Sequence, residues 1–377
     1  MDWSKGYSAT YYLSVVDAPS WRDLVRIEII SGSVNKESTG LRESADLVCT
    51  EYPRNREQWV RVWMDVRQNG ASAHEPIFTG LACSPDWDVD RSLVKSKVQC
   101  YSVLKPADDV LLPRGWYATA GATGARVVEQ LLQVTPAPKV MAEGSPVLQS
   151  SIVAEDGETN LSMAEKILTA INWRLRISGD GTISIEPKPV DAVAIFDPHD
   201  MDVVETSLGF ESDWYDVPNV FRAIDDDLTA VARNDDPDSP LSTVARGREV
   251  WAEDLSCDLA TDESIAEYAA RRLKDMQQTE MVVSYDRRYV PGVTVSDLVQ
   301  LRYPEQGADG VYLIQRQDIA LEYGARVSEE SAIEETYVQD SFDNGLVQGV
   351  NVNRLLVLPD GNYLKFANGD RLMVRVS

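Results

Sequence analysis

Residues 58–67 read Gln58-Trp59-Val60-Arg61-Val62-Trp63-Met64-Asp65-Val66-Arg67, and Gln68-Asn69-Gly70 follow. Successive side chains of an extended chain point to opposite sides, so Trp59, Arg61, Trp63, Asp65 and Arg67 share one face and Val60, Val62, Met64 and Val66 the other. The second face is wholly apolar, which predicts burial, while the mixed face should meet solvent or another subunit. The pattern is that of a strand ending in a turn. Working outward, Tyr7–Val16 is rich in aromatic and β-branched residues. Arg26–Ile30 alternates before an expected turn at Ser31-Gly32-Ser33, and Ala45–Thr50, Pro76–Leu81 and Ser96–Val103 add further short strands. About six strands with short turns predict a small antiparallel barrel or sandwich over residues 1–103.

The pattern changes near Pro106. Gly124–Leu132 has helical apolar spacing and is stopped by Pro136 and Pro138. Ser162 with Glu165 fits a capping box that opens a second helix, with Ala164, Ile167, Leu168 and Ile171 on one side. Trp173–Ile177, the turn Gly179-Asp180-Gly181 and Thr182–Glu186 form a hairpin, so residues 104–190 read as an α+β module. A second β-rich unit is expected over 191–330. It holds a long exposed acidic loop at Asp225–Pro240, a helix at Asp262–Met276, strands at Val282–Tyr289 and Val299–Tyr303, and a possible pairing of Gly310–Ala320 with Leu321–Val327. A polar linker near Ser328–Glu335 then leads, within residues 331–377, to a three-stranded meander at Leu355–Leu358, Tyr363–Phe366 and Leu372–Val376. The fold class expected is thus mainly β: two small antiparallel barrels separated by a helix-plus-hairpin module, with a C-terminal meander.

The chain has 377 residues, 44% hydrophobic and 26% charged, which suits a globular protein of two or three domains. No stretch approaches the roughly 20 apolar residues that span a bilayer. The first ten residues lack the basic and apolar regions of a signal peptide, so folding in a cytosol is expected. Cys49, Cys83, Cys100 and Cys257 are widely spaced without a CxxC pair and read as free, mostly buried thiols. Lys and Arg number 36 against 61 Asp and Glu, a net charge of −25. Such a chain repels nucleic acid and anionic membranes rather than binding them. Simple solubility and an acidic passage along which DNA slides without sticking both fit that charge.

Catalytic chemistry finds few parts here. There is no GxSxG, HExxH, GxxxxGK[ST] or GxGxxG motif. The two histidines are His74, read as solvated in a loop, and His199. Asp197-Pro198-His199-Asp200-Met201-Asp202 is the best metal candidate, yet its composition equally describes a turn, which is the preferred reading. Asp225-Asp226-Asp227 and Asp235-Asp236-Pro237-Asp238 lack EF-hand spacing and read as solvated loop. Trp87, Trp116 and Trp214 could stack on sugars, although core or interface packing is the commoner use of Trp. No catalytic, cofactor or metal residue is therefore assigned, and the chain is not expected to be an enzyme.

The order of these pieces resembles the phage tail hub proteins, a group spanning siphophage tail-associated proteins, contractile-tail baseplate hubs and secretion-system spike hubs. Gly40–Ala45 is similar to the stretch leading into an inward strand, and Pro76-Ile77-Phe78-Thr79-Gly80 to a strand that closes the first barrel. Val217-Pro218-Asn219-Val220 resembles the re-entry into the second barrel. Val290-Pro291-Gly292-Val293 with Asp297 and Val299 resembles a "Pro-Gly…Asp-x-Val" strand entry, and Gly310–Ile319 the return strand. The likeness covers about residues 1–330 and leaves the meander without a counterpart. It implies a homotrimeric ring in the virion, at a tail tip or baseplate, assembled in the host cytoplasm. Six barrels of that ring would meet a hexameric tube or distal tail protein, a threefold spike or fibre would follow, and DNA would pass through unbound. The alternatives are a tail-associated cell-wall hydrolase and a host carbohydrate-binding module.

Overall fold

The computed structural model describes residues 1–333 apart from 51, 53–55, 91–92, 213–214, 226–227, 254, 257–262 and 278–280. The expected meander, Cys257, Trp214, Asp226 and Asp227 lie outside the described residues. The chain is mainly β with a few helices.

Six strands open it: β1 (Ser8–Asp17), β2 (Arg22–Glu37), β3 (Glu43–Thr50), β4 (Gln58–Gln68), β5 (Ala71–Asp90) and β6 (Leu93–Ser102). They pair antiparallel in the order β1-β4-β5-β6-β3-β2, and β2 pairs again with β1, so the circuit is closed. The apolar face of β4 lies inside: Val60, Val62, Met64 and Val66 are all 0% exposed, packed with Leu13, Leu47, Phe78 and Cys100. Asn69 and Gly70 take positive φ (45° and 87°), the two-residue hairpin geometry that an Asn-Gly pair favours. The turn expected at Ser31-Gly32-Ser33 is absent. β2 runs straight through it, with a register shift between Ile29 and Ser31. A Cβ on Gly32 would lie 2.5 Å from the Asp46 carbonyl oxygen, so this glycine admits a neighbouring strand and a bulge instead of reversing the chain.

The α+β module contains α1 (Lys105–Asp109), β7 (Tyr117–Ala118), α2 (Gly124–Leu131), β8 (Lys139–Met141), β9 (Ile152–Val153), α3 (Asn160–Ala170), β10 (Trp173–Ile177) and β11 (Ile183–Pro187). Its own core includes Leu104, Val128, Leu132, Leu148, Ile167 and Ile183. β10 and β11 form the hairpin, and β8 adds in parallel to β11. The capping box of α3 is Thr159 with Ser162, not Ser162 with Glu165: the Ser162 N–H donates to Thr159 Oγ1 (3.1 Å) and the Thr159 N–H to Ser162 Oγ (2.9 Å). Glu165 has a different task, described below.

After residue 190 come β12 (Ala194–Phe196), β13 (Val204–Ser212), β14 (Val220–Asp225), β15 (Leu228–Arg233), α4 (Thr243–Arg246), β16 (Leu255–Ser256), α5 (Ile265–Gln277), β17 (Met281–Arg288), β18 (Leu298–Tyr303), β19 (Ala308–Ala320) and β20 (Arg326–Ile333). Six of these form an open array in the order β12-β18-β19-β20-β17-β13. The far half of β19, Arg316–Ala320, pairs with Ser33–Glu37 of β2, so ring and array share one continuous sheet of twelve strands. Two expectations fail here. Ser328–Ile333, read as polar linker, is the body of β20 in the middle of the array, with Glu329 and Ser331 buried. The acidic loop at Asp225–Pro240 contains β15, which forms a hairpin with β14. That hairpin, β16 and α5 build a small unit around Phe221, Ala223, Ala269 and Leu273, inserted between the paired strands β13 and β17. α5 is opened by Ser264 and Glu267, whose side chains exchange bonds with each other's backbone N–H (3.3 and 2.8 Å).

Candidate functional site

The mixed face of β4 divides along its length. Its first half faces the α+β module. Trp59 packs against Trp21 (centroids 5.5 Å apart), and both lie on the module's core. Arg61, only 6% exposed, donates to Thr79 Oγ1 (3.0 Å), Asp23 Oδ1 (2.8 Å) and the Asp180 carbonyl oxygen (3.0 Å). Trp21 Nε1 donates to that same carbonyl at 2.8 Å, and Thr79 Oγ1 donates to the Gly179 carbonyl at 2.8 Å. The tip of the β10–β11 hairpin is thus held by donors from β4, β5 and the β1–β2 turn. Gly179 is required there, since a Cβ would fall 1.8 Å from the Pro76 carbonyl oxygen.

Two more clasps hold the same module. Arg42, at positive φ (65°), donates to the Ser38 carbonyl (2.7 Å) and meets Glu165 of α3 at 3.4 Å. Asp297, completely buried, receives Arg174 Nη2 (2.9 Å) and Arg176 Nε (3.2 Å) on Oδ1 and the Thr294 N–H (3.0 Å) on Oδ2. Arg176 also donates to the Gly292 carbonyl (2.8 Å), and Arg174 pairs with Glu186 (2.7 Å) and reaches the Ser296 carbonyl. The Pro291-Gly292 turn therefore presents Asp297 to two arginines of another module. A seam of three clasps results, tying the α+β module to the ring and to the array.

Buried charge continues inside the sheet. Lys36 and Glu43 pair at 2.7 Å where β2 meets β3, and burial pushes the Glu43 carboxyl up against the pull of Lys36. In the array, Glu329 of β20 accepts from Arg287 Nε (3.1 Å) of β17 and Gln317 Nε2 (2.8 Å) of β19, and also from Tyr285 Oη. Burial and the neighbouring Glu329 hold the Tyr285 phenol well above its ordinary range.

The second half of β4's mixed face carries His74, which is a strand residue of β5 rather than part of a solvated loop. Its ring stacks on Trp63 (4.1 Å, 7° between planes), Nε2 lies 2.9 Å from Tyr12 Oη, and Nδ1 lies 2.6 Å from Asp65 Oδ1. The Arg26 guanidinium covers Tyr12 at 3.5 Å. The alternation that places β4's residues opposite β5 brings these groups together, a signal that a loop assignment for His74 conceals. A histidine between a carboxylate and a phenol is a set that can move protons. With its side chain 46% exposed on the outside of the ring, nothing there keeps water from a reacting group.

The remaining described candidates are ordinary structure, and the Trp87 side chain lies outside what is described. Asp197–Asp202 is a turn in which Asp197 accepts the His199 N–H on its carboxylate (2.9 Å) and the Met201 N–H on its carbonyl (3.0 Å). Asp236 Oδ1 accepts the Asp238 N–H (3.0 Å), and Asp235 accepts from Thr243. Among the described residues, no three His, Cys, Asp or Glu side chains are placed to hold a metal ion. Trp116 is partly buried against the α+β core, and Cys49, Cys83 and Cys100 are free thiols. No described helix is long and apolar enough to cross a membrane.

No protein-family model matches the sequence, and no curated protein matches it. Solved structures do. A tail protein from Neisseria meningitidis superposes with a TM-score of 0.64 at 17% identity, over 87% of this chain and 97% of the other. A 43 kDa prophage tail protein from Shewanella oneidensis gives 0.58 at 14% identity, over 86% and 97%. A prophage tail protein from Listeria monocytogenes gives 0.52 at 11% identity, over 87% and 96%. At such identities the common property is the fold, and it is shared along nearly the whole of each neighbour. The chain therefore has the fold of phage tail proteins, in keeping with the hub resemblance carried by its strand and Pro-Gly segments.

Proposed function

We propose that this chain is a structural subunit of a phage or phage-derived tail, a non-enzymatic hub at the tip of the tail tube. The observation that carries the reading is the pairing of β2 with β19, which puts two six-strand units on one sheet in a chain with a tail-protein fold. Three copies related by a threefold axis would supply six such units, the number needed to face a hexameric tube. The α+β modules would keep threefold symmetry for a spike or fibre. The three clasps support this division of labour, because a coupling between two symmetries has to hold its modules at fixed angles. The net charge of −25 fits a bore that DNA crosses without adsorbing, since Lys and Arg would retain phosphates. Assembly would take place in the host cytoplasm and the final location would be the virion tail.

Analytical ultracentrifugation of the full chain at micromolar concentration tests the proposal. The expected species has three times the 41.9 kDa of one chain. A chain that stays monomeric both alone and when mixed with tail tubes would overturn it.

A further inference from the structure

The last strand of the array, β13, hydrogen-bonds to β17 on one side: Leu208–Ser212 pair with Tyr285–Met281. Among the described residues no strand pairs with its other side. Glu205, Thr206, Ser207, Gly209 and Phe210 are all exposed, Phe210 at 50%. An open edge bearing an aromatic residue is a template for another strand, and folded proteins cover or blunt such edges.

The register shows which strand can reach it. Glu211 pairs with Val282, which pairs with Ala332, so β13 and β20 run parallel and finish at the same end of the sheet. The chain leaves β20 at Ile333, two strand spacings or about 10 Å from the free edge. Residues 334–377 follow, and three or four extended residues cover that distance at roughly 3.3 Å each. Charge favours the same match. Residues 351–377 contain Arg354, Lys365, Arg371 and Arg375 against Asp360 and Asp370, a net +2. The edge and its approach carry Asp202, Glu205 and Glu211.

We propose that the C-terminal segment 351–377 adds to the free edge of β13 within the same chain, covering an edge of the kind that the ring avoids through its β1–β2 pairing. The test is hydrogen–deuterium exchange on the full chain, reading the β13 amides of residues 208–212 that point away from β17. They are expected to exchange slowly at every protein concentration. Met373→Pro, which removes a donor and breaks strand geometry in the segment, should speed them on the order of tenfold while β17-facing amides keep their protection. Arg375→Glu, which leaves strand geometry intact, should speed the same amides to a lesser degree. Fast exchange in the unmodified chain would overturn the proposal. So would protection that survives Met373→Pro but fades on dilution, which would make a second copy of the chain the occupant.

Discussion

The ring and the array use six strands each and solve the same problem differently. The ring pairs every strand on both sides and fills its interior with Val, Leu, Met, Phe and Cys. The array is a row with two ends among the described residues, and across its middle it buries Glu329 with Arg287, Gln317 and Tyr285. Closure makes the ring's register self-consistent, because a slip at one pair must be made at all six. An open row lacks that check. The Glu329 network supplies one, since its donors sit on β17 and β19 and meet it only when all three strands are in register. A buried charged network is weak as a source of stability but selective as a marker of alignment.

This contrast can be broken by mutation. Glu329→Ala strands a buried guanidinium and should cost about 4 kcal/mol in denaturant unfolding. The double variant Arg287→Met with Glu329→Leu should recover most of that; if it remains equally unstable, the network stabilises and does not merely align. Met64→Ala opens a cavity in the ring and should cost about 3 kcal/mol. Asp297→Ala leaves two arginines of the seam short of an acceptor and should cost about 2 kcal/mol, with proteolysis appearing first at the β10–β11 hairpin. Thr159→Ala removes one cap of α3, with an expected loss of about 1 kcal/mol that leaves ring and array unchanged. The smallest effect is chemical. Burial pushes the Cys49 thiol up to about 12 and also holds Cys100 well above its ordinary value, whereas Cys83 is only partly buried. A thiol reagent at mildly alkaline pH should therefore label Cys83 well before Cys49 or Cys100. Because the folded state holds the Cys49 proton more tightly than the unfolded chain, the ring's stability should be full below the unfolded thiol value near pH 9 and decline as pH rises toward 12.

Much of the ring was legible in the sequence because one face of β4 is uniformly apolar and Asn69-Gly70 marks its end. The helices of the α+β module were legible for a similar reason, a clear period and proline stops. The misreadings share a cause: residues whose local chemistry suggests one structure were recruited by distant partners. Gly32 looks like a turn but makes room for the Asp46 carbonyl. Ser328–Ile333 looks like a linker because Glu329 and Glu330 are charged, and only a partner 42 residues away, Arg287, makes Glu329 an interior residue. His74 looks like a loop residue, and only the pairing of β5 with β4 sets it opposite Asp65 and against Trp63, exposed as it remains. The cap at Ser264 and Glu267 is legible in the Ser-x-x-Glu spacing alone. Within the seam, Asp297 was singled out by resemblance, whereas Arg174 and Arg176 carried no signal beyond alternation in a short strand.

The bond between β2 and β19 has a mechanical side. Five residues of each strand, Ser33–Glu37 and Arg316–Ala320, are zipped antiparallel where ring and array meet. A pull along these strands loads all of their hydrogen bonds together, whereas a pull across them opens one bond at a time. The junction should therefore be stiff to thrust along the strand axis and compliant to bending, as a lap joint is. A tip that must deliver force along one direction and yield to misalignment in others would gain from that anisotropy.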